Sequence, residues 1–459
     1  MGGSAFASGA DAVYTPRMPP AVYTAVRDSC HAILFSLFAV VATPIEGPGK
    51  ADFGDVDILL ALPLESKGES QRDAAALLRE AVARLGAVRS SVVAREGKVS
   101  IAVPWPADLL SLVPTSSSPS PSPSSPSSSS TPAHIQVDLA IAPSLGLLHW
   151  ALFKHAHGDL WNILGAAVLR PLGLTIDERA LWLRVPEIEQ AHRNRAKVFL
   201  SDEPATVLHF LGLSVLDKNR QSQWEAPFAS ATDLFEYATT SRFFVLPDDT
   251  DGTDGTGDTG NTGDHAGGTD GRKRYSYSQD LSVLKANDRR RMLYRPLFRQ
   301  WITEYVPALQ TAAHASGSSR GQETAAAVAV TRESVREAAF AYFPGTEVQY
   351  HAVRTAWLRE RHLMAIRAAA KEAVPLELPS QYRGVVCAAV RQRLGLVMDR
   401  NDGADGGGSA AVTSAALWTV EGVSAFVATN WSAISAAYSP AEHAQYLRDA
   451  ASQKEAGSP

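Results

Sequence analysis

Glu46-Gly47-Pro48-Gly49-Lys50-Ala51-Asp52-Phe53-Gly54-Asp55-Val56-Asp57-Ile58-Leu59-Leu60 is the stretch on which the reading of this chain turns. A glycine-containing turn runs into an Asp-x-Asp pair at the head of an apolar strand. Side chains alternate across a strand, so Asp55 and Asp57 project from one face while Val56 and Ile58 project from the other, into a core. Two carboxylates at that spacing repel each other unless a cation lies between them, and a hard oxygen site for Mg²⁺ supplies one. The plainer alternative is a polar loop in which Asp52, Asp55 and Asp57 merely precede a strand.

A third carboxylate follows in His134-Ile135-Gln136-Val137-Asp138-Leu139-Ala140. Ile135, Val137 and Leu139 share one face of this second strand, and His134, Gln136 and Asp138 share the other. If the two strands are neighbours, Asp138 joins Asp55 and Asp57. Three convergent carboxylates can hold a pair of divalent ions, an arrangement suited to phosphoryl-type displacement.

The order of glycine turn, Asp-x-Asp on a strand and a lone Asp on a later strand resembles the nucleotidyltransferase superfamily. That group includes poly(A) polymerases, CCA-adding enzymes, DNA polymerase beta and small antibiotic nucleotidyltransferases. The resemblance covers residues 20–142. It implies an α/β nucleotidyltransferase-like domain, a mixed sheet with helices, followed by a mainly α-helical domain over residues 144–440. It also implies that Asp55 and Asp57 bind Mg²⁺ (or Mn²⁺), and that Asp138 binds the catalytic metal and helps deprotonate the acceptor hydroxyl. The expected reaction is transfer of a nucleoside monophosphate from an NTP, ATP included, to a hydroxyl on an acceptor whose identity the sequence leaves open.

One feature departs from the family pattern. Its Gly-Ser or Gly-Gly pair lies at a helix end well before the first Asp, whereas here the candidate is Gly47-Pro48-Gly49, closer and without Ser. Pro48 has no N–H to offer a phosphate. Gly47 and Gly49 remain candidate backbone donors, Lys50 a candidate cation, and Lys154, just beyond the strand region, a second cation within reach of a triphosphate. A solvated lysine is the plainer reading of Lys154. The altered turn favours a rival function, a catalytically inactive protein of this fold serving as an RNA- or protein-binding module.

Outside the carboxylates the chain reads as follows. Residues 22–41 have helical spacing, 56–62 form a strand, 70–85 an amphipathic helix, 92–93 and 99–103 short strands, and 135–141 a strand. Beyond residue 144 helical periods dominate at 147–169, 205–213, 232–238, 281–309 (split by Pro296), 332–343, 348–370 and 414–437, with 181–183 a short strand. The Ser/Pro run 115–131, the Asp/Gly/Thr run 247–271 and the loop 401–409 are expected to be disordered insertions, and 312–323 is a fourth candidate.

Other motifs weigh less. Gly47-Pro48-Gly49-Lys50 is not a P-loop, because Pro44 and Ala51 stand where Gly and Ser or Thr are needed. Asp248 to Asp264 lacks the bidentate Glu of a calcium loop. His155 and His157 point apart on a helix, and Asp159 reads as a helix cap. Ser201 or Asp202 caps the helix that has Pro204 in its first turn. Trp150, Trp161 and Trp182 are expected in the core. Arg291, Arg295 and Arg299, interleaved with Tyr294 and Phe298, offer a basic aromatic face for RNA or a nucleotide, against the plainer reading of a solvated, ion-paired helix.

The bulk numbers agree with two or three globular domains: 459 residues, 45% hydrophobic, 20% charged. A net charge of −5 argues against a dedicated duplex-DNA binder. Cys30 and Cys387 are too few and too separated for a disulfide framework or a zinc site, and read as buried thiols. The start lacks a signal peptide, Phe6 breaks the myristoylation pattern, and the apolar run 32–42 is too short for a membrane span. The expectation is a protein of the cytoplasm or nucleus.

Overall fold

In the computed structural model the described residues are 3–6, 8, 12–64, 73–93, 97–114, 132–213, 224–247, 281–282, 284–315, 329–396 and 418–456. The runs 115–131 and 401–409, almost all of 247–271, and 316–323 from the fourth candidate insertion lie outside them.

Helix α1 (Pro20–Leu34) begins on a proline at its first turn, where a missing N–H costs nothing. It gives way to strand β1 (Phe38–Ala42), then β2 (Asp55–Pro63). Helix α2 (Ala74–Arg84) follows, capped by the Asp73 carboxylate accepting from the Ala76 N–H. Strands β3 (Arg89–Val93), β4 (Lys98–Pro104) and β5 (His134–Ile141) complete a five-stranded sheet of order β1-β2-β5-β4-β3. All its pairings are antiparallel except β2 with β5, which is parallel. A parallel pair needs a long crossover, and α2, β3 and β4 supply it.

The expected helix over 22–41 is corrected at its end. The apolar spacing of Phe38-Ala39-Val40-Val41 also fits a strand, and the β-branched residues there pair with β2. The alternation in β2 and β5 holds: Val56, Ile58, Leu60, Ile135, Val137 and Leu139 are buried together with Ile101 of β4. Val22, Val26, Cys30 and Leu34 of α1 and Leu77, Leu78 and Ala81 of α2 close over the same face. Each such side chain contributes about 1.5–3 kcal/mol on leaving water. With one face of the sheet consumed by the core, the other is free to carry polar groups.

After β5, helix α3 (Leu145–His155) is capped by Ser144, whose Oγ accepts from the Leu147 N–H, and packs against β2. The expected helix over 147–169 is interrupted after Ala156, because His157 and Gly158 both take left-handed backbone angles. The chain restarts at α4 (Leu160–Leu164) and widens into a π-helical segment over Gly165–Leu169. A second sheet joins β6 (Leu174–Ile176), β7 (Leu181–Arg184) and β8 (Lys197–Ser201), all antiparallel. The 181–183 strand is thus present, with neighbours the sequence did not announce. The helix at Pro204–Leu211 is capped at Glu203 without a side-chain bond, and the Ser201 hydroxyl instead accepts from the Glu203 N–H. Helices at Ala286–Tyr294 and Pro296–Gln300 meet at the expected proline break. Trp150 and Trp161 are buried and Trp182 half-buried.

The chain divides into two compact units, residues 1–184 with 197–346, and residues 185–196 with 347–459. The second is helical. The helices within 347–372 and at Ser380–Arg393, Val420–Tyr438 and Pro440–Ala456 enclose Ile366, Val374, Val386, Val390, Val423 and Val427. The helix at Ser380–Arg393 and the last one had no expected counterpart. Cys30 and Cys387 are free thiols, the first buried, the second half-buried, and burial pushes the Cys30 thiol up to about 12.

A buried charge cluster ties the first unit together. Asp288, 4% exposed, accepts from the Arg170 guanidinium at 3.1 Å and from Arg291 Nη1 at 2.6 Å. Removing the carboxylate leaves two partly desolvated cations. Asp288→Ala is expected to lower stability in urea unfolding by about 2–3 kcal/mol. A loss below about 0.5 kcal/mol would mean that solvent already screens these pairs.

Candidate metal centre

Parallel pairing sets the centre of the site. The β2–β5 register places Asp57 beside Asp138 and Asp55 beside Gln136. Because all four lie on the sheet face away from the core, the three sequence-predicted carboxylates come together on two adjacent strands. Their electrostatics are those of crowded like charges. Burial, and then Asp138, raise the Asp55 carboxyl above the usual carboxylate range; Lys50 and the Gly3 backbone N–H oppose the rise. Asp57 is pushed up to about 6, first by burial, then by Asp55 and Asp138, with His155 opposing. The Asp57 side chain nevertheless reaches solvent.

The donor set fits a hard divalent cation: three carboxylates on one face, two of them reluctant to ionise without a compensating positive charge. Among the described residues, however, no group of three or more His, Cys, Asp or Glu side chains is already closed around a metal position. The hydrogen bonds account for part of this. Gln136 Nε2 donates to both oxygens of Asp138, at 3.0 and 3.1 Å, so the amide sits at the mouth of that carboxylate. Gln136 itself is buried, and its Oε1 accepts from the Ala5 N–H at 2.9 Å.

The glycine turn is placed differently from its expectation. Gly47 lies against the second turn of backbone: a Cβ there would stand 3.1 Å from Leu297 Cδ1 and 3.3 Å from Gly158 Cα. The His157 N–H donates to the Ile45 carbonyl at 2.7 Å, fastening the two turns together. A side chain at Gly47 would press on Leu297 and on the Gly158 backbone. Gly49 has positive φ and open space around it, as a turn demands. Lys50 Nζ pairs with Glu46 at 2.6 Å and lies 4.7 Å over the Phe53 ring, while its charge still lowers Asp55.

Lys154 and His155 end α3 beside the carboxylates. Burial pulls the Lys154 ammonium below its ordinary range, with Glu178 and Asp177 opposing and Arg295 and Arg291 adding to the fall. His155 Nε2 meets Glu178 Oε2 at 3.1 Å. His157 points away into an aromatic cluster, its Nε2 on the Trp224 carbonyl at 2.8 Å, so the two histidines do part as expected. Asp159 does not cap α4 with its side chain; it accepts from Arg295 Nη1 at 3.0 Å. With Arg291 on Asp288 and Asn162, two of the three arginines of the basic stripe hold the fold together. Phe298 is buried, and Arg299 and Tyr294 are exposed.

Four residues that carried no role in the sequence reading belong to this site: Gln136, Glu46, His155 and Glu178. Alternation placed Gln136 beside Asp138 on the polar face, which was its only sequence signal. Glu46 and Glu178 arrive through turns whose paths no short motif encodes, and His155 arrives on the last turn of α3. No family model matches this chain, and no curated protein is significantly similar to it. No helix among the described residues is long and apolar enough to cross a membrane.

The raised Asp57 carboxyl has a stability consequence. The folded state binds that proton more tightly than the unfolded chain, so stability is lost as pH rises from about 4 through about 6. Asp57→Asn removes the penalty. It is expected to raise the melting temperature at pH 7.5 in metal-free buffer, with the gain vanishing at pH 4, as followed by thermal unfolding across pH. A variant less stable than the parent at pH 7.5 would show that the Asp57 charge is compensated already.

Proposed function

We propose that the protein is a metal-dependent nucleotidyltransferase of the nucleotidyltransferase fold, moving a nucleoside monophosphate from an NTP to an acceptor hydroxyl. The observation that carries this reading is the parallel β2–β5 register, which sets Asp57 beside Asp138 with Asp55 on the same face. Mg²⁺ or Mn²⁺ bound there would offset the mutual repulsion of the carboxylates and the negative charge of the phosphates. Asp55 and Asp57 hold the cation. Asp138 accepts the proton of the acceptor hydroxyl as its oxygen bonds to the α-phosphorus; the bond from the α-phosphorus to the bridging oxygen breaks, and pyrophosphate leaves. Lys154, kept from full hydration by burial, is the cation proposed to face the departing phosphates.

A second reading, the binding module without chemistry, is favoured by the glycine turn. Gly47 serves packing and Lys50 is engaged with Glu46, so neither is held ready for a triphosphate. In that case the exposed Arg299 and Tyr294 are the available elements of an RNA-contacting face.

Incubation with α-labelled NTPs, Mg²⁺ or Mn²⁺, and mixed cellular RNA and protein tests the proposal. Label is expected to pass to one class of acceptor with the parent protein and to disappear with Asp57→Asn and Asp138→Asn. Transfer that persists in Asp57→Asn would refute the mechanism.

A further inference from the structure

The segment at residues 3–6 lies across the carboxylate face, and its backbone contacts are with the groups that the proposed function uses. Gly3 packs against the Gly54 carbonyl just ahead of Asp55, and the Ala5 N–H donates to Gln136 Oε1 at 2.9 Å. The segment is seated firmly. Phe6 is buried, its carbonyl accepts from the Val13 N–H at 3.1 Å, and the Thr15 hydroxyl donates to the Gly3 carbonyl at 3.2 Å. Residues 12–18 are fixed in turn by the Tyr14–Ala133 bridge beside β5 and the Met18–Phe53 bridge before β2. Gly3 has a φ of +81°, and a Cβ there would stand 2.2 Å from the Gly54 carbonyl oxygen, immediately ahead of Asp55. Only glycine seats the strap this closely.

Gln136 passes this contact on. Its amide is a single rigid plane, held at Oε1 by Ala5 and presenting Nε2 to both oxygens of Asp138. An amide N–H at the mouth of a carboxylate occupies the position a cation would take. Asp138 is thus turned to an amide donor that the strap holds in place.

We propose that residues 3–6 are a cis-acting strap that holds the carboxylate site latent, with Gly3 seated against Gly54 beside Asp55 and with Ala5 acting through Gln136 on Asp138. Metal binding and strap docking then exclude each other. The inference rests on the metal-binding reading of Asp55, Asp57 and Asp138. By linkage, if the docked strap weakens the cation, the cation weakens docking by the same factor.

The full chain is titrated with Mn²⁺ alone, with binding read by calorimetry and by the loss of the free-ion electron paramagnetic resonance signal. Gly3→Ala expels the strap by its Cβ, and Ala5→Pro removes the N–H that holds Gln136. Each is expected to bind Mn²⁺ about tenfold more tightly than the parent. Hydrogen exchange of the parent is expected to show the amides of residues 3 and 5 losing protection when Mn²⁺ is added. Circular dichroism and thermal unfolding confirm that both variants fold. Asp57→Asn separates the two claims. Asp57-dependent Mn²⁺ binding that is unchanged or weaker in the folded strap variants overturns the strap and leaves the metal site standing. Absence of Asp57-dependent binding in parent and strap variants alike overturns both.

Discussion

Everything at the carboxylate site depends on two neighbouring strands running in the same direction. In the only parallel pair of a sheet that is otherwise antiparallel, β2 and β5 bring Asp57 level with Asp138 and leave Asp55 two residues away on the same face. A slip of one residue by either strand would turn its own carboxylates toward the core and its own apolar residues toward solvent, Val56 and Ile58 for β2 or Val137 and Leu139 for β5. The hydrophobic core therefore enforces the position of the charges. Burial of the apolar face is what sustains an arrangement that, by its own electrostatics, is unfavourable.

That unfavourable arrangement is the chemical content of the site. Asp57 rises to about 6 because solvent is partly withdrawn and because Asp55 and Asp138 stand close, and His155 compensates only in part. Backbone and amide donors from Gly3 and Gln136 take up some of the negative charge. The site is thus served by neutral dipoles where a full positive charge would serve better. This difference is what makes a divalent cation a fitting occupant and the strap a credible competitor for its place.

Much of this was legible in the sequence, for a physical reason. A period of two is a local property, so the shared face of Asp55 and Asp57 and the polar face of β5 could be read from short stretches. Long-range pairing was not local. Gln136 gains its meaning from Ala5, 131 residues earlier in the chain. Phe38-Ala39-Val40-Val41 fits helix and strand alike, and only the β2 partner decides between them. Glycine marks both bare backbone and close packing, and at Gly47 the atoms a Cβ would meet belong to Gly158 and Leu297, far off in sequence. Arg291 and Arg295 formed a basic stripe by spacing, yet Arg291 pairs with Asp288 three residues earlier on its own helix, and the fold brings Asp159 to Arg295 from 136 residues away.

The central claim is that these three carboxylates form a divalent-cation site. Anomalous diffraction from crystals soaked in Mn²⁺, recorded near the manganese edge, tests it most directly. A peak bounded by Asp55, Asp57 and Asp138, with the Gln136 amide withdrawn from Asp138, is the expected result. Manganese bound elsewhere, or none at this face with the crystals otherwise unchanged, would contradict it.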